Sequence, residues 1–146
     1  MNNPDDAVNS VIDSYRQAVF DRDVDAFMRL YDPGVRVFDS WAVWSYQTAH
    51  AWRNSVDGWL SSLGEDRVRV TVEDVQIWGE RPLVVASAVF GYTAISRDGH
   101  ELRSMQNRLT WALRAAGETW KIVHEHTSLP VRHEDAKAIF KRSQVS

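Results

Sequence analysis

A chain of 146 residues, 44% hydrophobic and 25% charged, is long enough for one domain with a real core and too short for two, so a single domain over 1–146 is expected. Seventeen basic residues scattered among twenty acidic ones leave a net charge of -3, which argues against nucleic acid or an anionic membrane as partner. The lack of cysteine excludes disulfides and thiol chemistry, and the acidic start Met1-Asn2-Asn3-Pro4-Asp5-Asp6, with no long apolar run anywhere, makes the cytoplasm the expected compartment.

Pro4 stands at a first helical position, with Asn3 before it as cap and Asp5 and Asp6 in the first turn, where acidic groups suit the helix dipole. Ala7, Val8, Val11, Ile12, Tyr15, Ala18 and Val19 recur at helical spacing and predict an amphipathic helix of about 17 residues. Asp23 caps a second, shorter helix carrying Val24, Phe27, Met28 and Leu30, which the Asp32-Pro33-Gly34 turn closes before a short strand from Val35 to Phe38. Asp39 to Gln47 is a loop rich in aromatics. Thr48 then caps a third helix whose stripe of Trp52, Val56, Trp59, Leu60 and Leu63 ends at Gly64.

The rest is predicted to be four long antiparallel strands. Val68, Val70 and Val72 alternate with polar residues, yet the apolar phase resumes at Val75 and Ile77, so one extra residue near Glu73 and Asp74 predicts a bulge. A strand from Leu83 to Ser96 follows the Gly79 to Pro82 turn, Asp98-Gly99 marks a hairpin into Leu102 to Arg114, and Gly117 turns into the last strand. The strand from Leu83 carries Val85 and Val89 on one face and Val84, Ala86, Ala88 and Phe90 on the other. Three helices cover only one side of a sheet, so a homodimer packed sheet to sheet is expected. Residues 131–146 form a tail or a short polar helix.

Side chains alternate along a strand, so Trp120, Ile122, His124, His126 and Ser128 are expected on one face, a wall passing from packed interior into a pocket. In that position His124 and His126 can act as general base, ligand donors or, with Asp39, metal ligands; the bland alternative is a satisfied pair with one imidazole bonded to a backbone carbonyl. No third ligand stands at diagnostic spacing, so neither metal nor cofactor is expected. Asn107 interrupts the apolar face of Met105, Leu109, Trp111 and Leu113, and its amide needs a partner, for which a pocket ligand or water is a candidate. Arg108 faces the opposite way in a regular strand, whereas a bulge would turn it inward to hold a carboxylate. Trp44, Trp59 and Tyr92 can line a cavity and grip a flat apolar molecule, although for Trp59, on a helix stripe, core packing is the simpler reading. No phosphate-binding glycine loop, Ser-His-Asp order or nucleotide fingerprint is evident.

Across residues 4–130 the order of helix, helix, short strand, helix and four long strands resembles the nuclear transport factor 2-like cone. The resemblance implies an α+β fold with three N-terminal helices packed on a strongly curved, mostly antiparallel sheet around a cavity. The segment from Arg108 through Trp111, Gly117 and Trp120 to Pro130 is similar to the closing hairpin of SnoaL-like proteins and, more distantly, to the association domain of calmodulin-dependent kinase II. Tyr15 and Asp39 stand where ketosteroid isomerases of this superfamily carry an oxyanion donor and a proton-shuttling base, so the resemblance implies those roles for them. From the residues alone, Asp39 also fits an aspartate capping its loop, and Tyr15 a core tyrosine. A carboxylate at the mouth of an apolar cavity would have its pKa raised by desolvation. Those isomerases further use a protonated aspartate on a late strand; between Leu102 and Ala116 this chain has no acidic residue, and Gln106 or Asn107 stands there instead. The resemblance thus implies a small-molecule-binding or cofactor-free acid-base enzyme (isomerase, cyclase or hydrolase-like) for a small apolar or carboxylate-bearing ligand. The competing expectation is a non-catalytic ligand-binding or oligomerisation module like the kinase association domain.

Overall fold

The computed structural model describes residues 3–144. Met1 and Asn2, at the head of the acidic start, and Val145 and Ser146, at the end of the predicted tail, lie outside the described residues. Helix α1 spans Pro4–Asp21, its Asn3 cap accepting the Asp5 amide at 2.8 Å, and the predicted apolar positions from Ala7 to Val19 are all buried. It closes at Arg22, which takes the left-handed conformation (φ 56) and returns its N–H to the last turn. Asp23 accepts the Ala26 amide at 3.0 Å to start α2, Val24–Met28. Strand β1, Tyr31–Phe38, begins earlier than predicted, because the Asp32-Pro33-Gly34 segment sits inside it as an irregularity rather than before it. A two-residue strand β2, Tyr46–Gln47, pairs with β1, and Thr48 caps α3, Ala49–Ser61.

Strands β3 (Arg67–Glu80), β4 (Leu83–Ile95), β5 (Glu101–Ala116) and β6 (Thr119–Ser128) follow as a meander. The six-stranded sheet has the order β2-β1-β6-β5-β4-β3, with β1 parallel to β6 and every other pair antiparallel. The α+β architecture is therefore the expected one. Helix α1 lies along β3, where Arg16 Nε donates to the Val70 carbonyl at 2.9 Å and Arg67 Nη1 donates to the Phe20 carbonyl at 2.7 Å. Between helices and sheet, Phe27, Phe90, Leu109, Trp111, Leu113 and Ile122 are fully buried, each contributing about 1.5–3 kcal/mol by leaving water.

Besides the irregularity in β1 and another where β4 meets the start of β5, two bulges bear on the faces of the sheet. In β3, Glu73 pairs with Val89 and Gln76 with Ser87, so one residue is extra where predicted, and Asp74 takes φ 60 to accommodate it. The second, in β6, departs from the regular alternation expected there: Ile122 pairs with Leu113 but His124 with Ala112, which leaves Val123 as the extra residue. Trp120 and Ile122 are buried, and after Val123 it is Glu125 and Thr127 that continue the inner face.

Among the described residues, the tail from 131 to 144 contains no α-helix. Val131 and Ala138 form a β-bridge, and the chain then crosses the end of the sheet into a short 3-10 turn, Arg142–Gln144. Pairing of β5 with β6 begins only at Arg108, so the strand before it presents unpaired backbone groups. The tail answers them: the Gln106 amide donates to the Phe140 carbonyl at 2.6 Å, and Gln106 Oε1 accepts the Arg142 amide at 2.8 Å.

Candidate functional site

A cavity of about 700 Å³ lies between the inner face of the sheet and the helices. Much of its wall is apolar, supplied by Phe27 of α2, Val56 and Trp59 of α3, Val68 of β3, Ala94 of β4 and Met105 of β5. Trp41, Arg103, Ser104, Phe140 and Lys141 surround its mouth, where the Trp41 ring, 51% exposed, stacks on Phe140 with centroids 5.6 Å apart.

Glu125 is the most perturbed carboxyl facing this space. It is 2% exposed, and both the Tyr31 hydroxyl (2.6 Å) and the Trp111 indole N–H (2.8 Å) donate to the same oxygen, Oε1. The residue lines the cavity. Desolvation, reinforced by the charge of Asp39, outweighs those two donors and lifts its pKa from 4.5 to about 7. At neutral pH the group is poised between carboxylate and carboxylic acid.

Tyr15 and Tyr92 hydrogen-bond through their hydroxyls at 2.9 Å. One hydroxyl must donate to the other, which frees the second hydrogen for another acceptor. Burial and the neighbouring carboxyl raise both pKa values, so both remain phenols. Tyr15 also packs against Phe27, Phe90 and Trp111 at centroid distances of 5.0, 5.4 and 5.6 Å, so it is a core tyrosine and a cavity-lining one together. The Asn107 amide acts on the Tyr92 hydroxyl, lowering its pKa, while its own Oδ1 has no partner.

Asp39 follows β1 and lines the cavity toward its mouth. Thr127 Oγ1 donates to its Oδ1 at 3.2 Å, and the Trp41 amide to its Oδ2 at 3.4 Å. Thr127 is itself fixed by the Ser40 amide and hydroxyl at 2.8 and 3.0 Å. Partial burial raises the Asp39 pKa from its ordinary value, and these donors oppose the rise. It thus caps its loop and faces the cavity at once.

The structure brings Asp39, Tyr15, Asn107, Trp59 and Tyr92 to one cavity. It does not bring the histidines there. The Val123 bulge turns His124 and His126 to the outer face, where Phe38 packs edge-on between them at 5.1 and 5.4 Å and His124 Nδ1 bonds the Arg36 carbonyl at 2.7 Å. Arg108, in a regular stretch of β5, also points outward, with Nε donating to Ser128 Oγ at 3.0 Å. Trp44 is 96% exposed and touches no part of the cavity wall; Trp41, three residues earlier in the same loop, is the one that does. Among the described residues no three His, Asp or Glu side chains gather closely enough to hold a metal ion.

Glu125, Thr127 and Trp41 carry no signal in the sequence that singles them out. The isomerase pattern directed attention to the strand that is β5, whereas the buried carboxyl of this cavity stands on β6, beside Trp111. Chemically, the site offers an outer carboxylate that can take a proton, an inner carboxyl that can donate a hydrogen bond, and a phenol pair that can support a developing oxyanion.

The sequence profile of the SnoaL-like domain matches residues 8–132. The chain is similar to an NTF2-like protein of unknown function from Pseudomonas putida KT2440, with a TM-score of 0.80 and 20% identity over 96% of this chain and 97% of that one. It is similar as well to Aln2 from a Streptomyces species (TM-score 0.75, 11% identity, 88% and 93% of the two chains). An NTF2-like protein with a cystatin-like fold from Novosphingobium aromaticivorans gives a TM-score of 0.73 at 14% identity, over 91% and 86% of the two chains. At such identities the likeness speaks for the fold alone. The comparison with curated proteins found no match.

Proposed function

The chain belongs to the SnoaL-like domain family, and on that premise we propose that it is a cofactor-free acid-base catalyst that binds a small, largely apolar carbonyl compound inside its cone. The observation that carries this reading is the pairing of two carboxyls in different environments within one cavity, Asp39 near the mouth and Glu125 at the buried end. Environments that separate two acids in this way assign one to accept protons and the other to donate. Asp39 takes the proton from the carbon beside the carbonyl. The oxygen that gains charge is met by the free hydroxyl of the Tyr15 and Tyr92 pair and by neutral Glu125 donating from Oε2. Trp59 and the other apolar walls exclude water around the reacting atoms.

Neutral Glu125 and ionised Asp39 are both needed in this scheme, so activity falls as pH rises through the Glu125 pKa of about 7 and falls again at lower pH as Asp39 takes up a proton. The test is exchange of α-hydrogens in heavy water, followed by NMR for a panel of apolar ketones. Exchange is expected to fall about 100-fold or more in Asp39→Asn. In Glu125→Gln the fall near pH 7 should vanish. No exchange above buffer with any ketone, or an Asp39→Asn rate equal to that of the unaltered protein, rejects the proposal.

The protein is further proposed to work as a homodimer through the outer face of the sheet. Val85 and Val89 are only partly covered there, and Trp78 and Leu83 are exposed beside them. Arg108 and Arg114 on β5 and Glu73 on β3 share that face, so a two-fold axis can set unlike charges against each other.

A further inference from the structure

Among the described residues, the buried side-chain polar atoms without a hydrogen-bond partner are Trp52 Nε1 and Asn107 Oδ1, and both belong to walls of the cavity. Trp52 is 7% exposed and Asn107 8%, so neither group can turn to bulk water. The Trp52 N–H leans on the Tyr31 hydroxyl, whose pKa it lowers, without reaching hydrogen-bond geometry. One orphan is a donor and the other an acceptor: Tyr31 joins Trp52 to Glu125, whereas Asn107, four residues along β5 from Trp111, acts on Tyr92 nearer the mouth. Leaving a buried donor or acceptor unmade costs about 1–3 kcal/mol, so a pair of them in a cavity wall favours an occupant that satisfies both.

We propose that the cavity is built for an uncharged, largely apolar molecule that presents an acceptor for Trp52 Nε1 at the buried end and a donor for Asn107 Oδ1 nearer the mouth. This inference rests on the reading of the cavity as a ligand site and narrows its ligand class. The cavity wall holds two carboxyls, Asp39 and Glu125, and the cations of the lining, Arg103 and Lys141, sit at the mouth. An anionic end group is therefore opposed inside and tolerated only at the rim. A ligand with an acceptor alone leaves Asn107 Oδ1 unpaired, and a hydrocarbon leaves both atoms so.

Calorimetric titration with naphthalene probes of matched size tests this. Naphthalene carboxamide and acetylnaphthol carry a donor and an acceptor, acetylnaphthalene an acceptor only, ethylnaphthalene neither, and naphthoate a charge. At least one of the first two is expected to bind about tenfold or more tightly than each of the other three. In Asn107→Leu its advantage over acetylnaphthalene should shrink to about twofold or less. Ethylnaphthalene or naphthoate binding as well as the donor-acceptor probes overturns the inference on the unaltered protein alone, as does a complete lack of binding. An advantage unchanged in a folded Asn107→Leu variant overturns it too. Pairing the probe order with the exchange assay on the unaltered protein separates the two proposals: the preference persisting without α-hydrogen exchange rejects the catalytic reading and keeps this one, and exchange without preference does the reverse.

Discussion

Burial raises the Glu125 carboxyl from 4.5 to about 7, and a shift of that kind is also a statement about folding. Between those two pH values the unfolded chain has released the proton and the folded chain still holds it, so stability is fully present below pH 4.5 and is lost as pH rises toward 7. At about 1.36 kcal/mol per pH unit, the loss amounts to about 3 kcal/mol at most. Glu125→Gln keeps an acceptor for Tyr31 and Trp111 and removes the titration. Urea unfolding at a series of pH values should show the variant gaining on the unaltered protein from pH 4.5 to about 7 and levelling off above it. A constant difference across that range would mean that Glu125 ionises normally. At this same scale Asp39 and Tyr15 each fill two roles, cap and cavity wall for one, core ring and cavity hydroxyl for the other. The choice between structural and functional readings that the residues posed was not a choice the fold had to make.

Bulges decide which residues share a face. The bulge in β3 was visible because valines and an isoleucine stand on both sides of it, so a slip in their phase registers against the polar residues between them. In β6 nothing apolar continues the inner face beyond Ile122; the residues that do so are Glu125 and Thr127, and a phase shift into polar residues leaves no mark. The histidines consequently looked like the pocket wall. Loops carry no period at all, which is why Trp44 and Trp41 could not be ranked from sequence. The β3 bulge yields its own test, because Asp74 holds φ 60 there with an exposed side chain. Asp74→Gly should leave stability unchanged or raise it by up to about 1 kcal/mol, while Asp74→Val, β-branched in a left-handed conformation, should lower it by about 1–2 kcal/mol. Equal chemical denaturation midpoints for the two variants would show that the bulge does not govern this backbone.

For the molecule as a whole, helices cover one face of the sheet, and the proposed dimer gives the other to a partner. Replacing Val89 with glutamate at the centre of that outer face is expected to convert a dimer into a monomer in sedimentation experiments, with α-hydrogen exchange per chain altered less than about twofold, since Val89 does not line the cavity. A monomeric unaltered protein at micromolar concentration, or an undiminished Val89→Glu dimer, would remove the proposed interface. The tail belongs to this scale too. Its residues have no apolar period to announce a structure, and its place follows from the free edge of β5 that it covers.

Local rules were sufficient for the helices with their caps at Asn3, Asp23 and Thr48 and for the meander with its hairpin turns, because capping, periodicity and turn chemistry act over a few residues, while Tyr15 and Asp39 were singled out only through the family resemblance. Only the assembled sheet decided that Glu125 faces inward beside Trp111, that the imidazoles face out, and that two unpaired polar atoms look into the same hollow. Those outcomes depend on strand register and on partners far apart in the chain, and no short window of sequence contains both members of such a pair.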